Sequence, residues 1–505
     1  MKAAINHFQL SEILDGIIIG DVLKVLYGVP SRSVRCIVTS PPYYGLRDYG
    51  TALWLGGDPD CDHKKKNSHQ SGKSHSHSAD QPSRQGTKKP VGDICHCGAI
   101  RIDDQIGLEK TPEEYISKLV LIFRECRRIL TDDGTLWLNI GDSYWGSGGN
   151  SGHNEETKNL GRATVKYGAT SGYNLWKKHH ELKPKDLIGI PWMLAFALRA
   201  DGWWLRSDII WNKPNPMPES VTDRPTKAHE YIFLLTKSEK YYYDSYAIRQ
   251  PLAENSISRL DQDIDNQAGS SRANGETRSD RPMKAVRKSG NLMRKDSSER
   301  GVPEGTGKNQ AASVPWEGST ANKKTVWTVA TKPFKSAHFA TFPENLIVDC
   351  IRAGASEHGQ CSICGKPWVR VVQKQNVGND GDTNTKYDDN SAAGRLAKKR
   401  DAARQQQGQE FVDNTKTIGW QPSCECNGKF ENEKYIPNMP LDQHPVSPDV
   451  VMDPFGGAGT TAMVAKKLFR NFILVELNEK YVKEIAVPRM QAVHGIFYTP
   501  KIIET

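Results

Sequence analysis

Apolar residues fall in short blocks separated by long polar tracts. Ile17-Ile18-Ile19-Gly20-Asp21 and Val34-Arg35-Cys36-Ile37-Val38-Thr39-Ser40 are compact β-rich runs, the second closed by Pro41-Pro42. Such runs predict buried strands. Thr111-Pro112-Glu113-Glu114 predicts a helix start, with Thr111 as N-cap, Pro112 at the first helical position and Glu114 completing a capping box. Tyr115, Leu119, Ile122, Phe123, Cys126 and Leu130 then follow helical spacing. Asp133-Gly134 reads as a turn into a strand over Thr135 to Ile140. The pattern predicts a helix from Pro184 to Arg199 and strands over Leu205 to Trp211 and Glu230 to Thr236. Order resumes at Val326, and residues 449–477 read as strand, turn, helix, strand. Strands alternating with helices predict an α/β sheet covered on both faces.

Composition locates the polar material. The chain has 505 residues, 37% hydrophobic, with 68 Lys and Arg against 59 Asp and Glu, a net charge of +9. The low hydrophobic fraction belongs to tracts at 64–90, 146–180, 251–325 and 376–420, which read as insertions into an ordinary core. No run approaches the ~18 apolar residues of a membrane span, so no membrane partner is expected. Met1 to His7 lacks the apolar segment of a secretory signal, which gives a cytoplasmic expectation. In that compartment, close cysteine pairs read as metal ligands before disulfides. Cys36, Cys126 and Cys350 lie in apolar runs and read as small buried hydrophobes.

Two loops carry the chemistry. Val450-Val451-Met452-Asp453-Pro454-Phe455-Gly456-Gly457-Ala458-Gly459-Thr460-Thr461 is an apolar strand running into a glycine-rich turn, with a helix from Ala462 to Leu468. Glycines there let backbone approach a ligand at a strand's carboxyl end. The next strand ends in Glu476, where a ribose hydroxyl pair would bind. The second loop, Thr39-Ser40-Pro41-Pro42-Tyr43-Tyr44-Gly45, also follows a strand. Its prolines fix the backbone and remove two N–H donors, leaving a hydroxyl and a carbonyl able to hold an amino group. Tyr43 supplies a flat stacking surface.

Together these motifs resemble the S-adenosylmethionine-dependent DNA amino-methyltransferases that act on N4 of cytosine or N6 of adenine. Ser40-Pro41-Pro42-Tyr43 preceding Asp453 to Thr461 is the motif order of the β class. The resemblance extends over roughly residues 13–60, 105–145, 183–250, 326–356 and 446–492. It implies a Rossmann-like methyltransferase sheet, S-adenosylmethionine as cofactor and double-stranded DNA as partner, while the zinc-braced and polar insertions in that α/β fold are read from cysteine spacing and composition. A cognate restriction endonuclease is a further implied partner. It also implies catalytic Ser40, Pro41, Pro42 and Tyr43. Asp21, Thr39, Phe342, Asp453, Pro454, Phe455, Gly456, Gly457, Gly459, Thr460, Thr461 and Glu476 would bind the cofactor. Ile210-Trp211-Asn212-Lys213 resembles the family's sheet strand near the target base. The serine form of the motif is associated mainly with N4-cytosine and the aspartate form mainly with N6-adenine. The absence of a Pro-Cys dipeptide argues against C5-cytosine chemistry, which needs a cysteine nucleophile. RNA or protein-glutamine methylation, and a non-catalytic zinc regulator of DNA, stay open as alternatives.

Two cysteine sets suit structural zinc. Cys361-x-x-Cys364 with Cys424-x-Cys426 would make a closed four-thiolate site. Cys61-x-His63 with Cys95-x-Cys97 would make a three-cysteine, one-histidine site around a basic loop. That loop sets Lys64, Lys65, Lys66, Lys73, Arg84, Lys88 and Lys89 against Asp80 alone, a pattern suited to phosphates. The expected organisation is a catalytic domain over 1–60, 98–250, 326–356 and 440–505. Into it are set a Cys/His insertion at 61–97, a polar linker or target-recognition segment at 251–325 and a zinc-knuckle insertion at 357–430.

Overall fold

The computed structural model describes residues 7–45, 53–58, 60–61, 95, 97–102, 105–145, 181–251, 320–332, 342–374, 415–431, 434–495 and 498–505. Among them, nine strands form one sheet. They are β1 (Gly16–Ile19), β2 (Val34–Thr39), β3 (Leu130–Ile140), β4 (Trp204–Asn212), β5 (His229–Thr236), β6 (Val326–Thr328), β7 (Val450–Asp453), β8 (Asn471–Glu476) and β9 (Lys501–Glu504). Their order across the sheet is β6-β4-β5-β3-β2-β7-β8-β1-β9. All neighbours are parallel except β5, which is antiparallel to both β3 and β4. β7 therefore sits beside β2 despite its distance along the chain, with Val451 opposite Cys36. Every residue of β1, β2 and β7 is buried, as parallel strands covered on both faces require.

Helices cover both faces, giving the Rossmann-like α/β arrangement. On one face α1 (Val22–Gly28), α2 (Pro112–Ile129) and α3 (Ile190–Ala200) share a core with Ile37, Leu136 and Leu138. The Thr111 cap and Pro112 start α2 as expected, with Glu114 N–H donating to Thr111 Oγ1 at 3.2 Å, but the Glu114 carboxylate accepts from Lys110 N–H at 3.1 Å and so does not close the expected capping box on Thr111. On the other face lie α4 (Glu344–Gly354), α5 (Thr460–Lys467) and α6 (Val487–His494). Gly354 lets α4 approach the sheet closely. A Cβ there would lie 2.6 Å from Thr135 Oγ1 and 2.7 Å from Cys36 Sγ. Cys36, Cys126 and Cys350 are buried core residues, and burial pushes the Cys36 thiol up to about 12.

Three local expectations change. Asp133 and Gly134 lie inside β3, where the register against β2 shifts between Val34 and Cys36. Helix α3 begins at Ile190, because Lys185 (φ 77°) and Gly189 (φ 85°) adopt left-handed backbone. Helix α5 begins at Thr460, two residues before the expected Ala462. The tracts at 64–90 and 146–180 lie outside the described residues, as does most of 251–325 and 376–420. Tyr242 is buried and Tyr243 stacks on Trp137 at 6.4 Å, so the Tyr241–Tyr243 run extends the sheet's packing.

The chain divides into two compact units, one of residues 1–244, 324–368 and 424–505, the other of 245–323 and 369–423. The first holds the sheet and all ten cysteines. In the second, Thr415–Pro422 pairs with the strand that begins at Trp368, and Arg370 lies over the Trp420 ring at 4.5 Å.

At the amino-terminal edge of the sheet, buried Arg35 donates to Asp449 Oδ1 at 3.3 Å and Thr131 Oγ1 at 3.0 Å, and pairs with Asp133. It also donates to the Gly365 carbonyl, in the turn after Cys364. Asp449 Oδ2 accepts from Ser356 N–H at 2.6 Å. A fully buried charge is tolerated only with partners of this kind.

Candidate active site

The glycine turn lies between the carboxyl ends of β7 and β8. Asp453 points inward. Its Oδ1 accepts from Thr39 Oγ1 at 2.6 Å and Phe455 N–H at 3.0 Å, and its Oδ2 accepts from Thr461 Oγ1 at 2.8 Å. Burial raises its pKa to about 6, partly offset by these donors. The sequence expectation placed Asp453, Thr39 and Thr461 on the cofactor; in the structure Thr39 and Thr461 each donate to Asp453, which fastens the turn to β2. Thr460 Oγ1 accepts from Arg489 Nη1 at 2.6 Å, and the same nitrogen reaches the Ala458 carbonyl at 3.0 Å. Pro454 and Gly456 are buried beneath.

The turn's outer wall is different. Gly457 (φ 49°) donates its N–H to Glu476 Oε2 at 2.9 Å, and Asn478 N–H donates to Glu476 Oε1 at 2.9 Å. Burial raises the Glu476 pKa. Phe455 is half-buried and meets Phe123 edge-on at 6.5 Å. Gly459 (φ 74°) caps α5, where a Cβ would lie 3.3 Å from Ala486 Cβ. Asp21 caps α1 by accepting from Lys24 N–H at 3.0 Å. Phe342 is half-buried just before α4, and the segment preceding it lies outside the described residues.

The second loop leaves β2 on the same edge. Pro41 is buried, while Ser40, Pro42 and Tyr43 are half-buried. Tyr115 of α2 donates its hydroxyl to the Pro42 carbonyl at 2.9 Å, which anchors the turn. Among the described residues, Ser40 Oγ reaches only the Tyr43 hydroxyl, at a long 3.5 Å. The Tyr43 ring lies against the end of β3, where a Cβ on Gly141 would come within 2.7 Å of its Cε2. Its hydroxyl donates to Glu230 Oε2 at 2.7 Å, with Asn139 Oδ1 also near at 3.3 Å. Glu230 pairs with Lys213, whose Nζ lies 4.3 Å over the Trp211 ring. Glu230 and Asn139 carry no motif of their own. The signal that could have found Glu230 is topological: β5 alone runs antiparallel, so its first residues reach the edge where the other strands end.

Both cysteine sets converge. The thiols of Cys361, Cys364, Cys424 and Cys426 lie within 4.8 Å of one another, as do those of Cys61, Cys95 and Cys97. Gly365 (φ 72°) closes a knuckle turn, with its N–H donating to the Cys361 carbonyl at 2.8 Å. Gly98 (φ 87°) repeats this with Cys95 at 2.9 Å. His63 lies outside the described residues.

The DNA methylase family matches residues 34–361 and 443–487. The chain is 41% identical over 336 residues to the Type II methyltransferase M.Cfr9I of Citrobacter freundii, covering 66% of this chain and 70% of that protein. It is 39% identical to M.XycI of Xanthomonas campestris pv. cyanopsidis over the same shares of the two chains. It is 36% identical to M.SmaI of Serratia marcescens, over 68% of this chain and 76% of that one. The chain belongs to the DNA methylase family, the N6/N4 class of DNA amino-methyltransferases.

Proposed function

We propose that this enzyme transfers a methyl group from S-adenosylmethionine to the exocyclic N4 of a cytosine flipped out of duplex DNA. The observation that carries the base assignment is Ser40 at the head of the Ser-Pro-Pro-Tyr turn, its hydroxyl held, among the described residues, by nothing stronger than the 3.5 Å contact. An exocyclic amino nitrogen is a poor nucleophile because its lone pair conjugates with the ring. Ser40 Oγ and the Pro41 carbonyl, accepting its two hydrogens, would turn that lone pair toward the methyl donor. Catalysis is then positioning and electrostatics, without a covalent enzyme intermediate. Tyr43 would stack on the extruded base.

The glycine turn fits the cofactor. Glu476 is an acceptor at the end of β8 suited to ribose hydroxyls, and the Gly457 N–H lies beside it. When bound, the cofactor supplies an electrophilic sulfonium methyl. Asp453, Thr39 and Thr461 hold the turn in shape for it.

Both cysteine clusters are read as structural zinc sites, Cys361, Cys364, Cys424 and Cys426 closing one, and Cys61, His63, Cys95 and Cys97 the other. Residues 251–325 are assigned to target recognition. A cognate endonuclease is proposed because the relatives above are named Type II methyltransferases. Nucleoside mass spectrometry of DNA treated with the pure enzyme tests the main reading. N4-methylcytosine is expected; N6-methyladenine alone would overturn it.

A further inference from the structure

We propose that Glu230 is the positioning residue of the methyl-transfer site, holding the Tyr43 ring at the angle the target base must meet. The proposal rests on the base-site reading above. Glu230 lies near the start of β5, opposite Trp211 of β4. Its Oε2 accepts from the Tyr43 hydroxyl at 2.7 Å and from Asn139 Nδ2 at 3.2 Å. Asn139 Nδ2 also reaches the Tyr231 carbonyl at 3.1 Å, which fixes the amide. The other carboxylate oxygen pairs with Lys213.

The cluster is shielded, with the Glu230 and Lys213 side chains only 15% and 18% exposed. Drawing two charges this far out of water is costly, and removing either partner leaves the other uncompensated. What the cluster secures is one hydroxyl. A phenol anchored at its tip cannot swing about its Cα–Cβ bond, and Gly141 admits the ring on one side. The ring therefore presents a fixed face, and its hydroxyl is turned toward Glu230 of β5. Asn139 and Lys213 reach the site from β3 and the end of β4, so with Glu230 on β5 three segments converge around the Tyr43 hydroxyl.

The test uses the full chain with Tyr43→Phe, Glu230→Ala, Glu230→Gln and the double variant Tyr43→Phe/Glu230→Ala. Cofactor binding is followed by calorimetry and methyl transfer by steady-state kinetics. A displacement of about 1 Å in a reacting group can lower turnover by ~10²-fold, which sets the scale. Glu230→Ala and Tyr43→Phe should each lower kcat by about tenfold to a hundredfold, with cofactor affinity unchanged. Glu230→Gln, which keeps an oxygen for the phenol, should recover most of the loss. The double variant should be no slower than Glu230→Ala, because both changes cut one link. Additive losses, or a normal kcat in Tyr43→Phe, would overturn the proposal, and the latter test stands even if Glu230→Ala does not fold. A wild-type enzyme that failed to methylate DNA would instead refute the reading on which it rests.

Discussion

Asp453 is the residue whose ionisation the fold opposes most legibly. Its folded pKa of about 6 lies above the ordinary carboxylate value of 3.8, because burial penalises the carboxylate more than its three donors favour it. The folded chain thus binds a proton more tightly than the unfolded chain. Stability is full below the unfolded value and declines as pH rises through roughly 4 to 6, by about 3 kcal/mol for a shift of this size. Asp453→Asn removes the titration and keeps an acceptor for Thr39 and the Phe455 N–H. Its unfolding free energy should therefore fall less across that window than the wild type's; superimposable pH profiles would count against the argument. Ser40→Ala probes the chemistry instead. With cofactor affinity intact, kcat should drop by ~10²–10³-fold, the scale for deleting one donor or acceptor that orients a reacting group. Retained turnover would remove Ser40 from the mechanism. These residues were legible because each motif is contiguous. Glu230 and Asn139 were not, since they join Tyr43 from 187 and 96 residues away and only strand order brings them near. The same folding also brings Thr39 onto Asp453 from 414 residues away, a contact that spacing does not encode.

At the scale of elements, local chemistry decided which expectations held. Helix α2 carries its own N-cap and proline, and starts where they place it. Helix α3 does not start at Pro184, because its cap is supplied from afar. Asp142 at the end of β3 accepts from Gly189 N–H at 3.0 Å and Ile190 N–H at 3.1 Å. Asp133-Gly134 looked like a turn, yet Arg35 binds Asp133 and Lys237 N–H donates to the Gly134 carbonyl at 3.3 Å, which keeps both in the strand. Arg35 thereby joins β2, β3, the residue before β7 and the Cys364 turn. Arg35→Met should cost about 3–5 kcal/mol, because Asp449 would lose its cation in a site with no solvent exposure. Urea unfolding measures this, and a loss below about 1 kcal/mol would show that the other partners of Asp449 suffice.

For the whole molecule, the two edges of the sheet divide chemistry from bracing. Ser40, Asp453 and Glu476 lie at or just beyond the carboxyl ends of β2, β7 and β8, whereas Arg35, Asp449 and the Gly365 turn gather at the amino ends. The cysteine pairs were visible as pairs, but not that both halves of the four-thiolate set would sit in the sheet-bearing unit while residues 369–423 sit in the other. A metal joining Cys361 to Cys426 would close that excursion, and crosslinks across long loops restrict the unfolded chain most. Zinc removal should therefore lower stability while leaving the chemistry alone. The purified protein should carry two zinc ions per chain, and Cys364→Ser should lose one. After chelation the unfolding midpoint should fall by at least several degrees, yet kcat measured well below that midpoint should stay within about twofold, because the Gly365 turn of the four-thiolate set is held by Arg35 at the amino-terminal edge. Less than one zinc per chain would remove the two-site reading. A collapse of kcat at temperatures where the chelated protein is still folded would place zinc in the methyl-transfer site and reverse the assignment of the two edges.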